Sequence, residues 1–253
     1  MIKNVYLRGL QYAALRRLLR RGRAYLQSFA GYSDPFYELA HIAQFSKAGL
    51  FLDIGCHHGD TLLRFIESGI KCPVAAFDPF VENIERAKTQ LKQYPQIAFQ
   101  QLALSDRNGS AKFYLNSNEQ TSSLLPNDTG NRESFAADTT PTGACEVETR
   151  TLDTWAAEKG VNVPCVIKCD TQGAEGLVIE GGKAFIRNHC VAFYGEVMLG
   201  NMYQGQSSFE EIRHLLEKEC GMVLKNIYPC LHDEAGRAVQ MDALWVKPEW
   251  LHV

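Results

Sequence analysis

From about residue 48 the chain alternates short apolar runs with stretches whose apolar residues recur every three to four positions. The first pattern predicts strands covered on both faces, the second amphipathic helices. "LFLDIG" (50–55) reads as a buried strand, followed by a helix that Asp60 or Thr61 caps and that carries Leu62, Leu63 and Ile66 on one side. "PVAAFDP" (73–79) is the next strand, and Val81, Ile84, Ala87 and Leu91 mark the inner stripe of the helix after it. "IAFQQLALSD" (97–106) reads as a third strand running into a turn at 107–109, and "SAKFYLN" (110–116) alternates as a strand should. "CEVETRTLD" (145–153) is a further strand whose last residue, Asp153, is placed to cap a short helix. "PCVIKCD" (164–170) is buried and leads to a helix from about Ala174 to Arg187; "CVAFYGEVML" (190–199) repeats the strand pattern. Ser207 or Ser208 starts a helix through Ile212, Leu215 and Leu216, and "MVLKNIYP" with "DALWVKP" reads as a closing antiparallel pair. The expected architecture is α/β: a mainly parallel sheet with helices on both faces.

Two segments break the pattern. Residues 117–144 are rich in Ser, Thr, Asn, Asp and Gly and read as a long loop, a length that in a compact domain points to function or mobility. Residues 1–46 read as a basic helical extension ahead of one domain spanning 47–253. Leu7, Leu10, Ala14, Leu15, Leu18 and Leu19 fall at helical spacing among Lys3, Arg8, Arg16, Arg17, Arg20, Arg21 and Arg23, with no acid before Asp34. That helix has two readings: peripheral contact with an anionic membrane or acidic partner, or packing on the main domain with a solvated basic face.

Composition narrows the class. The chain has 253 residues, 45% hydrophobic and 22% charged, which suits a soluble globular protein. A net charge of −3 gives no reason to expect a nucleic-acid partner. No apolar stretch approaches the roughly 20 residues that span a bilayer, and no signal peptide is expected. The eight cysteines form no C-x-x-C pair, so a zinc site is not expected; their spacing suits a reducing compartment. The expected location is therefore the cytoplasm, at a membrane's inner face if the basic helix docks there.

The polar residues collect where such sheets bind ligands, at the carboxyl ends of strands: Asp53, Asp78, Asp106, Asp170 and Glu196. The turn after the first strand reads D-x-G-x-x-x-G through Gly55 and Gly59, looser than the G-x-G-x-x-G that crowds a pyrophosphate, and it lacks a P-loop lysine. A nucleoside ligand with an amino-acid tail and no phosphates needs less crowding, and Asp78, 25 positions beyond Asp53, suits both ribose hydroxyls. S-adenosylmethionine fits, with Asp53 facing its ammonium directly or through water. His57 and His58 are adjacent rather than at the i, i+4 spacing of a helical metal pair, so no metal is expected and both read as loop or cofactor contacts.

"FLDIGCHHGD", "AAFDPF", "LALSDRNGSAKFY", "TSSLL", "VETRTLDTW" and "VIKCDTQGAEGLVIEGG" together resemble, over roughly residues 48–200, the motif series of FkbM-type methyltransferases. The resemblance implies a class I, Rossmann-like fold and S-adenosylmethionine-dependent O-methylation of a sugar, glycan or natural product. It implies cofactor contacts at Asp53, Gly55, Gly59, Asp78 and Leu104–Asp106, with Asp170 facing the transferred methyl. With the neighbouring Cys56, His57, Pro79 and Ser105, these make the candidate cofactor set. Three places depart from the usual pattern: Cys56-His57-His58 stands for a more typical Ala-Asn-x, Asp78 for a Glu, and Thr171-Gln172 for an aliphatic-Glu pair.

A sugar hydroxyl gains from losing its proton as it attacks, so Asp170 is the first candidate base or acceptor-orienting group, Glu196 the second and His57 the third. Ser122 and Ser123 lie in the loop that would close over the acceptor. Two rivals remain. A non-catalytic nucleoside-binding module would not need Asp170, and an NAD-dependent sugar-modifying enzyme calls for a tighter glycine turn.

Overall fold

The computed structural model describes residues 34–128 and 140–253. The basic helix expected before residue 34, and part of the long loop, lie outside the described residues.

Five strands form a parallel sheet: β1 (Leu50–Ile54), β2 (Val74–Phe77), β3 (Ile97–Gln100), β7 (Cys165–Cys169) and β8 (Cys190–Met198). β11 (Ala238–Val246) joins β8 antiparallel, and its far edge carries β9 (Val223–Ile227) and β10 (Leu231–His232), also antiparallel. The path is β10-β11-β8-β7-β1-β2-β3, with β9 beside β11. Strand order reverses between β1 and β7, which opens a crevice at their carboxyl ends. This is the Rossmann-like layout expected, closed by the expected antiparallel strands.

The period of two along each strand sorts the core. Leu52, Ile54, Ile167 and Cys169 face one cluster, with Trp155, Val178, Ile186 and Ile212 from the helices covering that side. Phe51, Val74, Ala76 and Val166 face the other, under Leu39 and Ile42 of α1 (Pro35–Phe45) and Leu62 and Phe65 of α2 (Asp60–Ser68). Residues 35–45 of the proposed extension are thus packed onto the sheet. Each large side chain buried this completely contributes about 1.5–3 kcal/mol, so the two faces rather than any one contact hold the sheet.

A second sheet, β4 (Ala103–Leu104), β6 (Pro141–Arg150) and β5 (Gly109–Asn116), stands beside the crevice. Residues 97–106 are therefore not one strand. The chain leaves the main sheet after Gln100 through a tight turn, Leu102 N–H to Gln100 O, and pairs again with β6. The stretch read as a loop to 144 ends at Pro141, where β6 begins, and holds a helical turn at Glu119–Thr121.

Three helix boundaries differ from expectation. α2 is capped by Gly59 in the left-handed region with no side-chain cap, and Asp60 instead accepts at 2.7 Å from Nε2 of Gln90, the last residue of α3 (Val81–Gln90). Thr151, not Asp153, caps α4 (Leu152–Lys159); Asp153 reaches across to accept from Phe185 N at 2.7 Å in the first turn of the next but one helix. The helix expected over 174–187 is two, α5 (Glu175–Glu180) and α6 (Lys183–His189), broken at Gly181-Gly182. A Cβ on Gly181 would lie 2.0 Å from the Ser105 carbonyl oxygen, so the break lets β4 approach. Ser208 caps α7 (Phe209–His214) in a capping box with Glu211, as one of the two expected serines.

Candidate active site

A cavity of about 360 Å³ opens over the carboxyl ends of β1, β2 and β7 and is flanked by the small sheet. Its floor is the turn after β1. Gly55 N and Cys56 N both donate to Phe77 O, at 3.0 and 2.9 Å, which ties the turn to β2. Gly55 has φ +77°, and a Cβ there would stand 1.9 Å from Asp170 O, so only glycine lets the β1 and β7 ends meet.

Asp78 organises this floor. Its Oδ2 accepts from His57 N at 3.0 Å, and its Oδ1 accepts from Phe80 N at 2.9 Å and Asn83 Nδ2 at 3.0 Å. A carboxylate has about four acceptor positions, so one remains, at Oδ2, on a residue that lines the cavity. The expected grip on both ribose hydroxyls narrows to one direct acceptor. Burial pushes Asp78 up, while those three donors pull it back.

Beneath the turn lies a residue the sequence reading left without a role. Lys168 of β7 is the register partner of Asp53 on β1; their side chains are 2% and 0% exposed, and Nζ stands 3.0 Å from Asp53 Oδ1. Lys168 also donates to Gly55 O at 2.7 Å and stands 3.8 Å from Asp170 Oδ2. Burial works to lower the lysine, but Asp53 and Asp170 outweigh it and hold the ammonium charged. A lysine inside "CVIKC" was itself the signal, since a buried charge needs a partner.

The far wall is acidic. Asp170, 35% exposed in its side chain, follows β7, and Glu196 of β8 is 7% exposed. Gln172 Nε2 bridges them, 2.9 Å from Asp170 Oδ1 and 2.8 Å from Glu196 Oε2, and Gln240 also donates to Glu196. Burial, then Asp170, Glu175 and Asp242, push Glu196 well above the usual carboxylate range. Glu175 at the start of α5 is pushed up to about 7, first by burial, and accepts from Thr171 N at 2.6 Å. Gln172, Gln240 and Glu175 were not foreseen: the first stood out only as a departure from a pattern, Glu175 lies five residues beyond Asp170 in the same motif without a signal of its burial, and Gln240 approaches from a distant segment.

The histidines stack, ring centroids 3.6 Å apart. Burial and then His58 lower His57, whose Nε2 is buried without a hydrogen-bond partner. His58 Nε2 meets Arg86 at 3.0 Å, and Arg86 lies 3.6 Å from Glu119. The donor atoms of His57, His58 and Glu119 gather within 4.8 Å of one another, as do those of Asp170, Glu175 and Glu196. In both groups side chains of the protein already engage members.

Of the residues expected at the cofactor, Gly55, Cys56, His57, Asp78, Pro79, Leu104 and Asp170 line the cavity. Asp53, Gly59, Ser105 and Asp106 do not. Asp53 lies under the turn on Lys168, Gly59 packs against Leu91, and the Ser105 hydroxyl turns to Asp106 at 3.1 Å. Asp53 therefore cannot face a ligand ammonium directly. S-adenosylmethionine fits what remains: Phe80, Leu102 and Leu104 give apolar walls for a purine, and Asp78 keeps an acceptor for ribose.

Residues 53–224 match the Methyltransferase FkbM domain. The chain is 30% identical over 172 residues to the 2-O-methyltransferase NoeI of Sinorhizobium fredii (strain NBRC 101917 / NGR234), covering 66% of this chain and 70% of that protein. It is also similar to two solved structures. One is methyltransferase FkbM from Methylobacillus flagellatus KT: 14% identity, TM-score 0.48, 79% of this chain and 43% of that one. The other is magnesium protoporphyrin IX methyltransferase (ChlM) from Synechocystis PCC 6803, with bound SAM: 10% identity, TM-score 0.45, 90% and 81%. With the family match spanning β1 to β9 and the cavity at its strand tips, the chain belongs to the FkbM methyltransferase family and uses S-adenosylmethionine as its methyl donor.

Proposed function

We propose that the protein O-methylates a hydroxyl of a sugar, glycan or other natural product, with Asp170 as the group that takes the hydroxyl proton. The observation that carries this is the unequal setting of two neighbouring carboxylates. Asp170 is partly exposed to the cavity, whereas Glu196 is enclosed and held toward its protonated form. One carboxylate is free to meet an acceptor while the other supports it. The likeness to a 2-O-methyltransferase supports oxygen as the acceptor atom.

The bound donor supplies a methyl group activated on a sulfonium. The new O–C bond forms as the S–C bond breaks, so alignment is worth more than any single contact. Asp170 would orient the acceptor hydroxyl and receive its proton. Lys168, already neutralised by Asp53, keeps Asp170 from standing beside an unscreened buried charge. Thr121 and Ser122 line the same cavity from the helical turn after β5, a polar rim that suits a hydroxylated acceptor.

The cofactor contacts we assign are Gly55, Cys56, His57, Asp78, Pro79 and Leu104. The basic segment within residues 1–33 is proposed as a peripheral membrane contact; among the described residues no helix is long and apolar enough to cross a membrane. The test of function is transfer of a labelled methyl group from S-adenosylmethionine to a panel of glycosides and cell-surface glycans. Label appearing in an ether of the acceptor is the expected result; label found only on nitrogen or carbon would overturn the assignment.

A further inference from the structure

The turn out of β7 takes two successive left-handed residues, Gln172 at φ +56° and Gly173 at φ +89°. Gly173 is the residue such a backbone favours, and a Cβ there would stand 2.7 Å from the Tyr203 ring. A glutamine in that region is uncommon, and its side chain accounts for its presence.

The amide is used at both ends. Its oxygen meets the Tyr203 hydroxyl at 3.2 Å, a hydroxyl that also donates to Thr121 O at 2.8 Å. The hydroxyl has one proton to share between these two oxygens, so it is the acids at the other end, as acceptors, that set the nitrogen of the amide toward them. Its nitrogen then donates one N–H to Asp170 Oδ1 and the other to Glu196 Oε2. Lys168 stands 3.8 Å from Asp170, beyond hydrogen-bond reach. Among the described residues, Gln172 is the hydrogen-bond donor to the Asp170 carboxylate.

We propose that Gln172 is the positioning residue of this site, aiming Asp170 at the acceptor and holding it apart from Glu196 through the two N–H groups of one amide. The proposal rests on Asp170 being the proton acceptor. A carboxylate at position 172 has no N–H to give, and it would add a charge between two acids. Facing the pair are Lys168 from β7, with Asp53 behind it, Glu175 from α5, Asp242 from β11 with Tyr194 on it, and Tyr203. Only one of these groups is a cation, so an added negative charge is poorly compensated.

The sign follows. Loss of a donor and gain of a like charge both disfavour ionised Asp170, so its titration moves to higher pH. The acid limb of methyl transfer moves upward with it, because activity is lost as pH falls through the base's midpoint.

The test is a carboxyl-carbon NMR titration of the full chain labelled at aspartate, with the Asp170 signal identified from its absence in Asp170→Asn. In Gln172→Glu the Asp170 midpoint should rise by about one pH unit or more, a tenfold tighter hold on the proton. Gln172→Met, similar in length and uncharged, should move it in the same direction by less, and it carries the test if the glutamate variant fails to fold. An Asp170 midpoint unchanged in the folded variants would overturn the proposal. Calorimetry on the wild-type sample keeps the underlying reading separate: no uptake of S-adenosylmethionine would sink the donor assignment, whatever the titration shows.

Discussion

Lys168 and Asp53 sit side by side on adjacent parallel strands, both buried. Nζ stands 3.0 Å from Asp53 Oδ1, 2.7 Å from Gly55 O and 3.5 Å from Ile54 O, three acceptors around an ammonium with three hydrogens. Such a pair adds little over an apolar one of equal shape, but stripping one partner strands the other's charge, at roughly 3–5 kcal/mol. Lys168→Met should lose about that much in urea unfolding, and pairing it with Asp53→Leu should recover part of the loss. A single mutant as stable as wild type would contradict the pairing. The functional gain is positional: the lysine pins the Gly55 carbonyl and so shapes the turn beneath the cofactor.

At the scale of elements, much of the sheet was legible because its strands are apolar on both faces. "LFLDIG", "PVAAF" and "CVIKC" carry that pattern without interruption. What was not legible depends on partners outside the local window. Gln101 and Leu102 look like the inside of a strand, yet the chain turns there because β6, some 45 residues later, offers β4 an edge. Gly181-Gly182 lie within the stretch expected as one helix, and the break there depends on the Ser105 carbonyl that packs against Gly181 from another segment. In the site, Asp78 and Asp170 were placed by sequence, while Asp53 was sent to the ligand because its lysine lay 115 positions away. One element remains a proposal. If the basic segment contacts anionic membranes, its hold should weaken with salt, since charges are screened over about 8–10 Å at physiological ionic strength. Co-sedimentation of vesicles with full-length protein and with a form lacking residues 1–33 should show greater binding by the former at low salt, converging at high salt. Equal binding at both salts would make the segment a packing element only.

For the whole molecule, the strand-order reversal between β1 and β7 gives the cavity two sides, to which we assign two tasks. The β1–β2 side, with Gly55, Asp78 and Pro79, is assigned to the cofactor. The β7–β8 side, with Asp170, Gln172 and Glu196, is assigned to the acceptor. The small sheet carries Ala103, Leu104 and Phe113 to the cavity, so an excursion from the main fold completes the enclosure. This division predicts that binding and chemistry separate by mutation. Asp170→Asn keeps the shape and can still hydrogen-bond, but it cannot take a proton. With an acceptor from the glycoside panel, one donor titration and one single-turnover experiment on this variant test the account most directly. Affinity for S-adenosylmethionine should stay near normal while methyl transfer slows by about 10²–10⁴-fold. Near-normal transfer would contradict it and move the proton to Glu196 or His57; a variant that no longer binds the donor would contradict it by placing Asp170 in the cofactor half.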